Sequence, residues 1–317
     1  LNSLNKIQLT ENQQSDIEQI AIGTYSPLEG PMVKADLESV LNNMQLSNGV
    51  LWTLPIILDV NIDIGEKINE GDTVALLDVN DNIIGTINIK EKYSYNKQLL
   101  VEKLYGSIDQ NHPGINIINS LKPIFLGGEI LIFKKFTKLF DKYHLTPKQA
   151  RRLFDEKNWV KVVGFHTRNV IHRAHEYIQL TALEKGGCDG LFIHPVIGMK
   201  KTGDYNANTI VKSYEIMQKE YYPDNTVVFG VFSTYSRYAG EREAVFTALC
   251  RKNYGCSHFI VGRDHTGVGS QKSNYKNIFS QFPDMGIEII SYNSVYYSKK
   301  YQSYFEESVD SQESDDD

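Results

Sequence analysis

The segment VKVVGF at residues 160–165 is followed by the polar residues HTRNVI at 166–171 and by the helix-like HRAHEYIQLTALEKG at 172–186. Apolar runs and helical patterns then continue in DGLFIHPVI (189–197), NTIVKSYEIMQKEY (208–221), NTVVFGVF (225–232), GEREAVFTALCRKNYG (240–255), SHFIVG (257–262) and IEIISY (287–292). The apolar runs are continuous, which is typical of parallel strands that have helices on both faces. We therefore predict an α/β fold with a parallel sheet in this part of the chain.

A different pattern precedes this region. Four short segments separated by Gly, Asn and Asp clusters predict a small all-β unit, at residues 50–60, 73–77, 83–89 and 129–133. Apolar positions at helical spacing within 11–46 predict helices that cap it. A further helix should begin with Thr146 as its N-cap and Pro147 at its first position. We therefore predict a β-rich domain over 1–145, an α/β catalytic domain over 146–305 and an acidic disordered tail over 306–317.

Composition excludes several classes of protein. The 317 residues are 41% hydrophobic and 23% charged, which argues against a wholly disordered or fibrous chain. The net charge of −6 disfavours non-specific nucleic-acid binding, although a local basic pocket is compatible with it. Three cysteines without metal-ligand spacing favour a reducing cytoplasm. The sequence shows neither a signal-peptide pattern nor an apolar run long enough to span a membrane, so we expect no membrane partner.

Polar residues gather after the first strand of the predicted sheet, where ligands of open α/β sheets bind. His172 and His175 are three residues apart at a predicted helix start, so their rings should share one face. A helix N-terminus attracts anions, and Arg168 adds a cationic donor. A bare H-x-x-H pair is more often a metal site or a surface pair. Arg168 and Asn169 in the same turn favour a phosphate site instead.

Three other strand ends carry basic residues. The glycine-rich FIVGRDHTGVG at 259–269 contains Arg263 and His265, and its glycines would permit close approach of the backbone to a ligand. His194 is either a ligand-binding residue or a histidine at a strand end whose ring is satisfied by hydrogen bonds. The arginines at 237 and 242 are either phosphate ligands or part of a solvated helix start. Four basic strand ends in one sheet favour an anion site.

Several segments, in this order, resemble the sulfate adenylyltransferase (ATP sulfurylase) family: SPLEG (26–30), NGVLWTLPIILDV (48–60), HPG (112–114), TRN with HRAH (167–175), IHP (193–195), RYAG with REA (237–244) and RKNYGCSHFIVGRDH (251–265). The resemblance implies a PUA-like N-terminal domain followed by a Rossmann-like nucleotidyltransferase domain, in which HRAH is the counterpart of the HxGH signature. It implies that ATP and sulfate give adenylyl sulfate and pyrophosphate, with Mg²⁺ as cofactor on the polyphosphate. A sulfate oxygen attacks the α-phosphorus directly, without a covalent enzyme intermediate.

The resemblance also implies the catalytic residues. Arg168 would bind the attacking oxyanion, while Thr167 and Asn169 would hold the α/β-phosphate region. His172 and His175 would stabilise developing charge and the pyrophosphate leaving group. Such a reaction mainly requires positioning and charge stabilisation in an in-line transition state.

Nucleotide binding would involve a wider set, of which Val295 is expected to pack near the adenine. The resemblance implies these nucleotide-binding residues: His166, Arg168, Asn169, Gly262, Arg263, Asp264, His265 and Val295. It implies no metal ligands from the protein.

Two departures from the family pattern fall in the oxyanion pocket, which the resemblance builds from His166, Arg168 and Thr266. His166 replaces the usual Gln, and Thr266 replaces the usual Ala. A neutral imidazole still donates one hydrogen bond, so these changes are compatible with tolerated drift in a sulfate enzyme. A protonated His166 would instead favour a more negative acceptor and make binding pH-dependent near its reference pKa of about 6.5.

A further departure is that SQKSNYKNIF at 270–279 replaces the family's YGPYDAQ segment, and the C-terminal module of longer members is not found. No phosphate loop of the GxxxxGKS type occurs, so we expect no fused adenylyl-sulfate kinase within this chain. Three functions follow: a sulfate adenylyltransferase, an adenylyltransferase for another oxyanion, or a catalytically weak nucleotide-binding homologue. ATP and an oxyanion are the expected ligands, and a homo-oligomer and a separate adenylyl-sulfate kinase are left open as partners.

Overall fold

The computed structural model describes residues 3–106, 111–134, 140–200, 202–262, 265 and 275–307. The N-terminal part contains a five-stranded sheet of order β1-β3-β4-β5-β2, in which β1 runs parallel to β3 and the other neighbours are antiparallel. Its strands are β1 (Lys6–Gln8), β2 (Asp59–Val60), β3 (Thr73–Leu77), β4 (Ile83–Tyr93) and β5 (Ile124–Ile132). Its helices are α1 (Glu11–Ala21), α2 (Lys34–Asn43), α3 (Ile62–Gly65), α4 (Lys97–Tyr105) and α5 (Pro113–Ser120).

The strand predicted over residues 50–60 is wrong for most of its length. Only Asp59–Val60 pairs in the sheet, and Leu51 makes an isolated bridge with Gln45. Trp52 and Leu54 are instead buried in the core that the two halves of the molecule share. This segment is apolar because its side chains enter that core, not because it forms a strand.

The C-terminal part is built on five parallel strands, as predicted, in the order β10-β9-β6-β7-β8. These strands are β6 (Val162–Phe165), β7 (Gly190–Ile193), β8 (Val227–Phe229), β9 (His258–Val261) and β10 (Glu288–Ser291). The helices are α6 (Pro147–Glu156), α7 (Arg173–Gly186), α8 (Ala207–Glu220), α9 (Gly240–Tyr254) and α10 (Tyr275–Ser280). The direction of winding reverses between β6 and β9, so a crevice is expected at their carboxyl ends.

The predicted start of α6 is confirmed. The Thr146 side chain accepts a hydrogen bond from the Gln149 N–H at 3.2 Å, and the Gln149 side chain accepts one from the Thr146 N–H at 2.8 Å. Pro147 occupies the first turn, where a missing N–H costs nothing.

Helix α9 lies between the two halves of the molecule and is buried along most of its length. Phe246 packs at 5.1 Å from Tyr25 and at 5.5 Å from Trp52, measured between ring centroids. Arg242 donates to the carbonyl oxygens of Val40 at 2.9 Å and of the following residue at 2.8 Å, near the end of α2. Its guanidinium therefore binds the N-terminal part. The two interpretations from the sequence, a phosphate ligand and part of a solvated helix start, are both wrong for Arg242.

Arg237 also joins the two halves. Its guanidinium forms an ion pair with Asp16 of α1, and both side chains are 7% exposed. The Tyr235 hydroxyl donates to the same carboxylate at 3.0 Å. Since this cation is already neutralised by a carboxylate, the alternatives of a phosphate ligand and a solvated helix start are both wrong.

The chain continues past β10 into an antiparallel hairpin of β11 (Val295–Ser298) and β12 (Ser303–Glu306). The Glu307 N–H donates to the carbonyl of Ser294 at 2.8 Å. The tail predicted from residue 306 therefore begins too early, because these backbone contacts fix residues 306 and 307, while 308–317 lie outside the described residues. Among the described helices, none combines the length and the hydropathy required to cross a bilayer.

Candidate active site

A pocket of about 360 Å³ opens where β6, β9 and β10 end. It is lined by Phe165, His166, Thr167, Arg168, Asn169, His172, Ala174, His175, Ile178, Ser236, Ile260, Gly262, His265, Tyr292, Asn293, Ser294 and Val295. The pocket thus lies at the reversal of strand order, where ligands of this class of sheet bind. It brings together most of the site residues that the sequence predicts.

His172 and His175 stand at the start of α7, where His172 is the N-cap. Their rings stack with centroids 3.7 Å apart and planes inclined by 26°. Burial lowers the pKa of His172, and burial followed by the nearby His172 lowers the pKa of His175 to about 3. Both imidazoles are therefore neutral in the ligand-free protein near pH 7, and each can donate one hydrogen bond. The predicted shared face is confirmed.

Thr167, Arg168 and Asn169 form the turn between β6 and α7. The Thr167 hydroxyl accepts from the Asn169 N–H at 3.1 Å, which fixes the turn. The Arg168 guanidinium lies 3.9 Å from the Asp204 carboxylate and 5.2 Å from the centre of the Tyr238 ring. Arg168 is also part of the pocket lining, where an anion can reach it.

His166 contacts a residue whose role sequence reasoning missed. The buried Arg251 of α9 donates from Nη2 to His166 Nδ1 at 2.9 Å. Burial, and then the positive charge of Arg251, holds the pKa of His166 well below its usual value. The protonated His166 considered from the sequence is therefore wrong for this structure near pH 7, and no pH dependence of binding near 6.5 is expected from it.

The loop after β9 is described in part. Gly262 lines the pocket, and a Cβ at this position would meet no atom within 4 Å. His265 is buried, its Nε2 lies 3.1 Å from the Thr247 hydroxyl, and burial lowers its pKa to about 3. The predicted ligands Arg263, Asp264 and Thr266 lie outside the described residues.

Val295 lines the pocket together with its neighbours Tyr292, Asn293 and Ser294. Sequence reasoning named Val295 alone, since its three neighbours carry no motif. The Asn293 N–H donates to Glu306 at 2.8 Å, so the hairpin β11–β12 holds this wall in place.

His194 does not line the pocket. Its ring is fully buried against the rings of Phe232 at 5.0 Å and Tyr254 at 4.5 Å, and its carbonyl accepts from Arg251 at 2.7 Å. The ring therefore belongs to the core and not to the pocket, but both of its nitrogens are buried without a hydrogen-bond partner in the described part of the chain, so the prediction of a satisfied histidine is not confirmed.

The signal that could have revealed Arg251 is its position in α9. It follows Thr247 by one helical turn and Ala244 by two, so it shares the face that packs on the sheet. A charged residue on such a face needs polar partners, which predicts that Arg251 contacts polar groups near the strand ends.

The described lining side chains are neutral or cationic, and none is a carboxylate. Arg168 supplies positive charge in the lining of the pocket, and Arg251 supplies it from outside the lining, through its contact with His166. The N-terminus of α7 adds free N–H groups. Such a set attracts anions and is poorly suited to hold a hard divalent cation by itself. Correspondingly, no cluster of three or more metal-ligating side chains occurs in the described part of the chain.

Two family profiles match successive parts of the chain. The profile of the ATP-sulfurylase family matches residues 141–317, and that of the PUA-like domain matches residues 1–135.

Individual relatives are similar along most of the chain. The sulfate adenylyltransferase of Trichodesmium erythraeum is 44% identical over 291 residues, which cover 91% of this chain and 74% of the relative. That of Ignicoccus hospitalis is 43% identical over 296 residues, which cover 93% of this chain and 77% of the relative.

One solved structure has a similar fold. The hexameric APS kinase from Thiobacillus denitrificans superposes with a TM-score of 0.77 at 21% sequence identity. The match covers 96% of this chain and 54% of the other, so the chain spans about half of that protein.

Proposed function

This chain belongs to the ATP-sulfurylase family, and we propose that it is a sulfate adenylyltransferase with its active site in the pocket at the ends of β6 and β9. A sulfate oxygen attacks the α-phosphorus of ATP, the bond from that phosphorus to the bridging oxygen breaks, and pyrophosphate leaves. The observation that carries the proposal is the meeting of the TRN turn and the stacked histidine pair in an anion-attracting pocket.

The side chains suit separate tasks in this reaction. Arg168 binds sulfate and neutralises part of its charge, while Thr167 and Asn169 hold the α/β-phosphate region. His172 and His175 donate hydrogen bonds to the phosphate oxygens as charge moves to the leaving group. Donors that are fixed before the reaction stabilise the transition state without reorganisation.

The base and ribose are assigned to the other side of the pocket. Gly262 and His265 approach the nucleotide from the β9 side, and Val295 packs near the adenine from the opposite wall. The remaining nucleotide-binding roles fall to His166, Arg263 and Asp264. The division of the chain near residue 146 belongs to the same proposal, supported by the two family profiles.

Mg²⁺ would enter with ATP. The pocket residues fit the phosphate oxygens, and the ion would be held mainly by those oxygens and by water. When bound, it would neutralise charge on the polyphosphate.

Sulfate is the favoured acceptor because the two relatives compared along the sequence are both sulfate adenylyltransferases. His166 and Thr266 then adjust the binding of sulfate and do not change the acceptor to another oxyanion. The same reasoning disfavours a catalytically weak nucleotide-binding homologue. The proposal includes a separate adenylyl-sulfate kinase, because adenylyl sulfate forms uphill and needs removal. It also includes a homo-oligomer.

The decisive experiment is pyrophosphate release from Mg·ATP with and without sulfate. Release that depends on sulfate is expected, together with formation of adenylyl sulfate. Release with phosphonates or phosphorylated small molecules but not with sulfate would assign another acceptor. ATP binding without release under any acceptor would contradict an enzymatic function.

A further inference from the structure

We propose that Arg251 is a positioning residue for the acceptor: it holds His166 as the tautomer whose Nε2–H faces the oxyanion. This inference rests on the proposed function for the identity of the anion. The arrangement of the two side chains stands independently of it.

Arg251 has an unusual environment for a cation. Its side chain is fully buried, and its Nη2 donates both to His166 Nδ1 at 2.9 Å and to the His194 carbonyl at 2.7 Å. Nη1 donates to the Thr247 carbonyl at 3.4 Å, while Nε has no partner. The guanidinium also lies 4.6 Å from the centre of the Phe232 ring.

No carboxylate in the described part of the chain lies within ion-pair distance of Arg251. A buried charge without a counter-ion is costly, because desolvation is only partly offset by neutral acceptors. Arg237, which is 6% exposed while Arg251 is fully buried, is by contrast paired with the carboxylate of Asp16. The positive charge of Arg251 is thus kept next to the pocket.

The geometry fixes the proton on His166. A guanidinium has only donors, so Nδ1 of His166 must accept and must be unprotonated. The single proton of the neutral ring is therefore on Nε2. That atom makes no hydrogen bond to any other residue that the structure describes, and the His166 ring lines the pocket.

A donor positioned in this way is suited to an oxyanion. The hydrogen bond from Arg251 draws electron density toward Nδ1 and makes Nε2–H a stronger donor, as in other hydrogen-bonded chains. Such an imidazole offers the pocket one directed N–H. Its orientation is set by Arg251, whereas a free neutral histidine would distribute its proton between two nitrogens.

The first test needs no turnover. Ring ¹⁵N chemical shifts of the ligand-free protein report the tautomer of each histidine, and His166→Gln identifies the His166 signals. We expect only the Nε2–H form of His166 between pH 6 and 8, and a mixture of tautomers in Arg251→Met. An Nδ1–H form or an imidazolium in the wild-type protein would overturn the proposal.

The second test is a double-mutant cycle on the KM for sulfate. Arg251→Met should raise this KM about tenfold in the wild-type background, the size expected for one charge-assisted hydrogen bond. In the His166→Ala background, Arg251→Met should raise the KM for sulfate less than about twofold, because the hydrogen bond to His166 is then absent. The KM for Mg·ATP should stay within about twofold throughout. An equal effect on sulfate in both backgrounds would overturn the proposal.

Arg242→Met is the matched control for loss of an arginine from α9. Within the part of the chain that the structure describes, Arg242 donates only to backbone carbonyls of the other half of the molecule, so its loss should lower the melting temperature without changing the KM for sulfate. If Arg251→Met does not fold, Arg251→Lys, which keeps the charge but loses the planar fork, takes its place in the cycle. If the wild-type protein releases no pyrophosphate with sulfate, the proposed function is contradicted. The tautomer measurement would still decide whether Arg251 positions His166.

Discussion

The imidazole rings of His172 and His175 lie face to face at the N-terminus of α7, with centroids 3.7 Å apart. Two cations at this distance would repel each other strongly, so at most one ring can be protonated at a time. Under the proposed function, the stacked pair would offer two neutral donors to the substrate. A polyphosphate would favour protonation of one ring and gain charge stabilisation as pyrophosphate leaves.

Replacing either histidine should remove most of the activity. We expect His172→Ala and His175→Ala each to lower kcat about 10² to 10³-fold, because each removes a donor to the transition state. The double variant should lose less than the product of the two, since the rings act together. Steady-state pyrophosphate release measures this, with circular dichroism as a check of folding.

Arg173→Ala provides the matched control, because this residue lies between the pair in the same helical turn. Its side chain is 61% exposed and pairs with Glu176 at 2.7 Å, outside the pocket lining. Activity within about threefold of wild type is expected. A loss as large as that of the histidine variants would mean that disturbance of the helix start, and not the lost donors, lowers the rate.

Stability should fall as the pH decreases below neutrality. Burial holds the pKa of His194 well below 6.5 and that of His265 at about 3, so the unfolded chain binds protons at these sites before the folded one does. Their contribution to stability is present above pH 6.5 and is lost as the pH falls toward 3. Each neutral buried histidine should remove about 1.4 kcal/mol from the free energy of unfolding per pH unit below its unfolded pKa.

Urea unfolding at pH 7.5, 6.5 and 5.5 tests this expectation. His194→Phe keeps the ring stack on Phe232 but cannot take up a proton, so its unfolding free energy should decline less steeply by about one proton. The comparison is made between proteins that share all their carboxylates, which isolates the histidine. Equal slopes in the two proteins would contradict the prediction.

The sequence predicted the parallel sheet and the positions of the histidines because both depend on local patterns. Continuous apolar runs and the Thr146–Pro147 helix start are recognised within a few residues, and the HTRN and HRAH segments follow a strand directly. The roles of Arg237 and Arg251 depend instead on residues far away in the chain, Asp16 and His166, that packing alone brings close. The two alternatives considered for Arg237, a phosphate ligand and a solvated helix start, therefore both missed its ion pair with a carboxylate.

Residues 50–60 illustrate the opposite error. Their apolar pattern predicted a strand, but burial in the shared core satisfies the same pattern without a ladder. In a single sequence, a buried segment without strand pairing and a buried strand have similar apolar patterns.

The ion pair between Asp16 and Arg237 should be a major source of stability at the domain interface. Asp16→Asn leaves a buried guanidinium without its counter-ion, so we expect a loss of about 3 to 5 kcal/mol in the free energy of unfolding. The control Glu156→Gln breaks an exposed pair with Arg152, whose side chain is 80% exposed, and should cost no more than about 0.5 kcal/mol. Denaturant unfolding decides, and a similar small cost for both variants would contradict the prediction.

Gly164 of β6 provides the space that Arg251 occupies, so filling that space should impair sulfate binding. A Cβ at this position would lie 2.8 Å from Arg251 Cγ and 3.2 Å from its Cβ. Gly164→Ala should displace the guanidinium from His166, raise the KM for sulfate several-fold and destabilise the fold by about 1 to 3 kcal/mol.

Gly190→Ala is the control, since its Cβ would lie 2.3 Å from the Trp159 ring, outside the pocket lining. Both variants should melt earlier, but only Gly164→Ala should change the KM for sulfate. The same change in both would show that general loosening of the sheet, and not the displacement of Arg251, weakens acceptor binding.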